Sequence, residues 1–158
     1  MNARTVTRDL IDVLDRASVP YEVIEHPPTF TARAEARVLG IEPAEVAKTV
    51  VLTTPSGFVR AVVPASCRVD LGKARVALGT DDVVLASEEA LAGAYPSFEL
   101  GAVPPLPDAS GDAVLVDRRL AERETVVLEL GTHGTSARLR TADLVQLSGA
   151  LLVDLCRA

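Results

Sequence analysis

Aromatic side chains are scarce in this chain. Its 158 residues hold Phe30, Phe58, Phe98, Tyr21 and Tyr95, and no tryptophan. A groove that stacks successive bases of a single strand needs aromatics in a cluster, so that class of binder is excluded. Cation surplus is missing too. The formal net charge is −6, which excludes a broad surface tracking phosphates. DNA is therefore not an expected partner, and an RNA partner would be touched locally, at one end or one loop. No apolar run approaches about 18 residues, the length of a membrane span. The stretch from Met1 to Arg16 mixes Arg with Asp and lacks the apolar core of a signal peptide. The expected protein is cytoplasmic, with no membrane partner.

Cysteine is limited to Cys67 and Cys156. They lie far apart and fit no metal-ligand spacing, so two buried thiols in a reducing compartment are expected. The familiar catalytic signatures are absent: no nucleophile elbow, no H-E-x-x-H, no P-loop, no G-x-G-x-x-G. Gly131 and Gly134 stand too close together and too late in the chain for a dinucleotide fingerprint. Two histidines, His26 and His133, have no suitably spaced carboxylate or thiol to complete a zinc site. No metal and no cofactor is expected.

What is present has the composition of a soluble globular domain, 48% apolar and 24% charged, at a length that gives one domain over residues 1–158. Val6, Leu10, Val13, Leu14 and Ala17 mark one face of a helix from Thr5 to Ala17, with Arg4, Arg8, Asp9, Asp12 and Asp15 on the wet side. Pro20 ends it. Tyr21 to Glu25 reads as a strand stopped by Pro27 and Pro28. Thr31 caps a helix from Ala32 to Leu39, with Gly40 as terminator. Pro43 opens a short turn that leads into a strand through Thr53. After the turn signal Pro55-Ser56-Gly57, Phe58 to Val63 returns as its antiparallel partner. Asp70 caps a helix through Leu78. Val83 to Leu85 is a strand, and Ser87 caps a short helix that Gly93 closes. Tyr95 to Pro107 is a proline-punctuated loop. Strands follow at Ala113 to Val116, Thr125 to Leu130 and Ala137 to Arg140, the last two separated by a loop over Gly131 to Ser136. Arg118 to Ala121 is a helical turn. Thr141 caps the last helix through Ser148, and Ala150 to Leu155 returns to the sheet. Helices and strands interleave, yet neighbouring strands look hairpin-linked. The expectation is an α/β (α+β) fold, a mixed and mostly antiparallel sheet surrounded by helices.

Chemistry has few places to live. Of 16 basic residues only Lys48 and Lys73 are lysines. Lys48 stands at the mouth of the apolar run Val50-Val51-Leu52, where a compact, rotatable ammonium can be placed beside a core strand; the plain alternative is a snorkelling side chain. Lys73 reads as a solvated helix charge. Gly101-Ala102-Val103-Pro104-Pro105 combines a conformationally free start with a stiff exit. Its N–H groups at Gly101, Ala102 and Val103 could hold a carbonyl oxygen as it becomes an oxyanion, or the stretch could be a simple connector. His133, between glycines, could orient a substrate or act as a base, or be an exposed loop histidine. His26, before two prolines, could wall a pocket or cap a strand end.

Taken together these pieces resemble the YbaK/EbsC-type aminoacyl-tRNA deacylases, free-standing relatives of the prolyl-tRNA synthetase editing domain. The matching stretches are Tyr21-Glu22 to His26-Pro27, Thr31-Ala32, Val46 to Leu52, Pro64-Ala65 with Val69-Asp70-Leu71, Gly101 to Pro105, Val116-Asp117 and Gly131-Thr132-His133. They span about Leu10 to Asp154. The resemblance implies hydrolysis of the ester joining a wrong amino acid to the 3′-terminal adenosine of a tRNA, in trans, with tRNA-Pro or a related tRNA as carrier. It implies Lys48 as the essential residue and Gly101, Ala102, Val103, Pro104 and Pro105 as the lining of the aminoacyl pocket, with Thr31, His26 and His133 as further substrate-binding positions. The partners it implies are the aminoacyl-tRNA acceptor end and an aminoacyl-tRNA synthetase. Relatives often continue the double proline with an aromatic and a glycine, whereas this chain has Leu106-Pro107, which bears on pocket shape. A non-catalytic module of the same fold that binds amino acids or tRNA ends, and a hydrolase of small non-RNA esters, stay open as alternatives.

Overall fold

The computed structural model describes residues 3–157, with side chains from Thr5 onward. The expectation for Arg4 lies outside the described side chains. Helix α1 (Ala3–Arg16) is followed by β1 (Tyr21–Glu25), α2 (Ala32–Leu39), a 3-10 turn (Pro43–Glu45), β2 (Ala47–Thr54), β3 (Gly57–Pro64), α3 (Leu71–Leu78), β4 (Val84–Leu85) and α4 (Glu88–Ala94). The long loop then leads to β5 (Ala113–Asp117), α5 (Arg118–Ala121), β6 (Thr125–Thr132), β7 (Thr135–Arg140), α6 (Thr141–Ser148) and β8 (Leu151–Val153).

The expected single sheet is two. One has the order β1-β7-β6 and is antiparallel throughout; the other has the order β4-β2-β3-β5-β8. In the second, β4, β2 and β3 pair antiparallel, while β3–β5 and β5–β8 pair parallel. The fold class is thus as expected, mixed and mostly antiparallel with helices around it. A parallel bridge between Val46 and Val127 joins the two sheets. The main core lies where α1 packs on β6, with Val6, Leu10, Leu14, Val126, Leu128, Leu130 and Leu139 all buried. Their spacing on α1 is the 3.6-residue period read from sequence.

The caps behave as their chemistry requires. Thr31, Asp70 and Ser87 each accept from the backbone N–H three residues on, and Gly40 and Gly79 end α2 and α3 in the left-handed region. Several details differ from expectation. Arg140, not Thr141, holds the cap position of α6, without a side-chain bond. Helix α4 runs through Gly93 to Ala94. The expected loop over Gly131 to Ser136 is mostly strand: Thr132 pairs with Thr135 across a two-residue turn, His133-Gly134. Strand β8 ends at Val153.

The cysteine expectation is overturned. Cys67 and Cys156 form a disulfide, with Cα atoms 5.8 Å apart and a sequence separation of 89. The antiparallel bridge between Val69 and Cys156 places the C-terminal segment beside the loop after β3, which brings the pair within bridging reach. Lys73 also differs from the solvated charge expected. Its ammonium bonds the Cys156 carbonyl at 2.7 Å and pairs with Asp154, tying α3 to the same segment. Among the described residues no helix is long and apolar enough to cross a membrane.

Candidate active site

The two sheets are joined at Val46 and Val127, and β2 and β6 share no further bridge. A cavity of about 620 Å³ opens beyond that join. Side chains alternate along a strand with period 2, so the residues two steps beyond the bridge turn the same way as the bridged pair. These are Lys48 on β2 and Glu129 on β6, and both line the cavity.

The cavity has a cationic side. Lys48 is half-buried and donates to the Cys67 carbonyl at 2.8 Å. Burial, with Arg33 and Arg68 nearby, lowers its pKa from the ordinary lysine value. Arg33 and Arg68 also line the cavity. Three cations thus converge on one opening of a protein whose net charge is −6, a local field of the sign that draws in an anion.

The opposite wall is the loop Gly101 to Pro105, every residue of which lines the cavity. Gly101 has φ +86°, a conformation that favours glycine. Ala102 donates its N–H to the Glu99 carbonyl at 2.9 Å, so it is withdrawn from the set of three donors expected from sequence. The N–H groups of Gly101 and Val103 have no protein acceptor among the described residues.

The loop is braced from two sides. Arg60 on β3 is 1% exposed. Its guanidinium donates to the carbonyls of Pro104 (2.8 Å) and Leu106 (3.0 Å), to Asp108 (2.7 Å), to Ser110 (3.2 Å) and to Asp112 (3.2 Å). Five N–H donors meet five acceptors, the arrangement that makes a buried guanidinium tolerable. Tyr95 packs under it, the guanidinium carbon lying 5.1 Å from the ring centre, and bonds Asp112 through its hydroxyl. Burial and that bond push Tyr95 up to about 12. The second brace is His133. Its Nε2 lies 2.7 Å from the Leu100 carbonyl and its Nδ1 lies 2.9 Å from Glu129 Oε2.

Of the positions expected to bind substrate, Lys48, Thr31 and Gly101 to Pro105 come together around one cavity. The two histidines do not line it. His133 is 6% exposed and stands behind Gly101. His26 bonds the Pro27 carbonyl through Nδ1 and Ser136 through Nε2, and Ser136 in turn bonds the buried Glu35. Burial raises the pKa of Glu35, opposed by the Ser136 bond.

Sequence reasoning missed every charged or aromatic lining side chain except Lys48, namely Arg33, Arg68, Phe30 and Glu129. Arg33 and Arg68 gave no signal beyond ordinary surface charge. Phe30 is 77% exposed at the rim, its ring 5.2 Å from that of His133; an aromatic among Pro27, Pro28 and Thr31 was the available hint. Glu129 is an acid in the apolar strand Val126 to Leu130, a pattern that could have marked it. Burial, with Glu35 and Glu99 close by, pushes Glu129 up to about 8.

Fold and site together define a small-ligand cavity with a cationic mouth and a rigid Gly/Pro wall. The chain belongs to the aminoacyl-tRNA editing domain family, which matches residues 26–147. Among solved structures it is similar to a candidate trans-editing enzyme for prolyl tRNA synthetase, at 25% identity and a TM-score of 0.86, over 100% of this chain and 99% of that one. A scaffold protein used in computational grafting of epitopes matches at 26% identity and a TM-score of 0.85, again over 100% and 99% of the two chains. A hypothetical protein, APE2540, shares the fold at 22% identity and a TM-score of 0.85, over 93% of this chain and 98% of that one. No match was found among curated proteins.

Proposed function

We propose that this protein is an aminoacyl-tRNA deacylase that acts in trans as a single domain, removing a small amino acid mischarged onto tRNA-Pro or a related tRNA. The observation that carries this reading is the shared cavity: Lys48 on one wall, the loop Gly101 to Pro105 on the other. Lys48, with Arg33 and Arg68, meets the terminal phosphate and ribose of the acceptor end. Phe30, exposed at the rim, offers a face on which the terminal adenine stacks. These contacts hold the ester in reach of the loop.

An aminoacyl ester is already activated, so water suffices as nucleophile. Water adds to the ester carbon and its proton passes toward the free hydroxyl of the terminal ribose. The carbonyl oxygen becomes an oxyanion held by the N–H groups of Gly101 and Val103. The carbon–oxygen bond to the ribose then breaks, and the leaving oxygen takes the proton that the neighbouring free hydroxyl hands on. Rigidity of the Pro104-Pro105 exit, fixed from behind by Arg60, makes the cavity a sieve for small side chains. The acidic body of the protein leaves tRNA choice to the acceptor end or to a synthetase partner in the cytoplasm.

The test is a panel of tRNAs carrying alanine, cysteine, serine, threonine or proline. Release from one or two of them, reduced about 100-fold or more by Lys48→Ala with an unchanged far-UV spectrum and melting temperature, is the expected result. Stoichiometric binding without release sinks catalysis in favour of a binding module. Cleavage of simple esters that does not depend on tRNA sinks the choice of substrate.

A further inference from the structure

Glu129 is the one acid among the residues that line the cavity, which also include Lys48, Arg33 and Arg68. Resting on the deacylase reading, we propose that the Glu129 carboxyl receives the free α-amino group of the bound aminoacyl ester, so that the site selects esters of amino acids over otherwise identical esters of hydroxy acids.

Placement is the first support. The α-amine of such an ester sits on the carbon next to the reacting carbonyl. Its receptor must therefore lie beside whatever holds the oxyanion. Glu129 is linked to that wall through one ring: Glu129 Oε2 to His133 Nδ1 at 2.9 Å, His133 Nε2 to the Leu100 carbonyl at 2.7 Å, and Leu100 directly precedes Gly101. His133 is buried and fixed at both nitrogens. Carboxyl, imidazole and loop thus form one positioned unit.

The proton inventory is the second. A carbonyl can only accept, so His133 Nε2 carries a hydrogen. The Nδ1–Oε2 contact then holds one further proton, either as imidazolium with carboxylate or as imidazole with carboxylic acid. An arriving ammonium favours the carboxylate. The carboxyl proton crosses to Nδ1, and the ammonium donates to Glu129 while the imidazolium keeps both its bonds. A neutral amine is met by the other arrangement with no change in the number of protons. Glu35 and Glu99, the other carboxylates acting on this site, add negative potential that also favours a cation.

Burial is the third. The Glu129 side chain is 14% exposed, in a cavity whose lining also holds the apolar Ala102, Val103, Pro104 and Pro105. Burial together with Glu35 and Glu99 holds its pKa at about 8. A carboxyl kept under such unfavourable conditions at a cavity wall marks a position with work to do on a ligand.

The test compares alanyl-, seryl- and threonyl-tRNA-Pro with their hydroxyacyl counterparts, made by nitrous acid deamination, which replaces the amine by a hydroxyl of nearly the same size. Each single-turnover rate is divided by that ester's rate with hydroxide alone, removing intrinsic reactivity. Wild type is expected to favour the aminoacyl ester by about 10- to 100-fold, the range of one charge-assisted hydrogen bond. Glu129→Gln, which keeps the shape and a bond to His133, is expected to lower the aminoacyl rate about 10-fold and bring the two rates within about 3-fold of each other. Equal normalised rates in wild type overturn the inference while leaving the deacylase reading standing, and that arm needs no variant to fold. A parallel fall of both rates in Glu129→Gln also overturns it, in favour of a purely structural acid. Failure of wild type to hydrolyse any aminoacyl ester sinks the deacylase reading and this inference with it.

Discussion

The two walls of the cavity are built on opposite plans. On the β2 side the charged groups are loosely held. Lys48 has one carbonyl partner, at Cys67, and Arg33 reaches the Ser66 carbonyl at a long 3.3 Å. What steadies that wall is covalent: the Cys67–Cys156 disulfide ties its backbone to the C-terminal segment. On the loop side nothing is covalent, yet the backbone is gripped by the saturated guanidinium of Arg60 and by His133. The contrast teaches a division of labour. On the deacylase reading proposed above, an ammonium with one carbonyl partner follows a phosphate whose position varies, whereas a loop that holds an oxyanion is rigid before substrate arrives.

Four experiments press on this contrast. The largest effect is expected at Arg60. Arg60→Leu leaves Asp108 and Asp112 without their cation and the carbonyls of Pro104 and Leu106 without donors, a loss of about 3–5 kcal/mol; urea denaturation of variant and wild type measures it, and a loss under about 1 kcal/mol would show that the brace is dispensable. Next is the disulfide. Cys156→Ser opens a loop closed over 89 residues and should cost about 2–5 kcal/mol, read as a lower melting temperature. It should loosen the Lys48 wall alone, so amide exchange is expected to quicken at residues 65–69 and not at 101–105. Faster exchange of both segments would erase the distinction between the walls.

Phe30→Ala comes third. It removes a stacking face and one ring contact with His133 while leaving both hydrogen bonds of that imidazole in place, and should weaken binding of a non-hydrolysable acceptor-end analogue by about 1–3 kcal/mol with little change in the melting temperature. Unchanged affinity would remove Phe30 from the site. The smallest effect is a pH dependence. Glu129 sits at about 8 in the folded protein against an ordinary 4.5. Between those values the folded state binds more protons than the unfolded chain, so this group's contribution to stability is full below about 4.5 and is lost as pH rises through about 8. Glu129→Gln cannot titrate. Its melting temperature relative to wild type should therefore climb steadily between pH 5 and pH 9; a constant difference would mean that Glu129 titrates as an ordinary carboxyl.

Local features were legible where local physics governs. Thr31, Asp70 and Ser87 cap because a short polar side chain reaches a free N–H three residues on. The turn at Pro55 to Gly57 returns β3 on β2 because turn residues set the chain reversal. The Gly131 to Ser136 stretch was misread because its glycines signal a loop, while pairing with β6 and β1 on a shared sheet overrides that preference. Arg60 carries no local signal, because only the folded loop brings five acceptors to it.

By itself, then, the order of residues determined the α1 stripe, the caps of α2, α3 and α4 and the β2–β3 hairpin, and it singled out Lys48 and the loop Gly101 to Pro105, which line one cavity. Each follows from interactions spanning a few residues, or from a resemblance between short motifs. Tertiary structure alone decided that the strands form two sheets joined at Val46 and Val127, that Cys67 meets Cys156, that His133 stands behind Gly101 while His26 lies outside the cavity lining, and that Glu129 and Lys48 line one cavity. Those outcomes depend on distances between segments far apart in the chain, and no local preference encodes them.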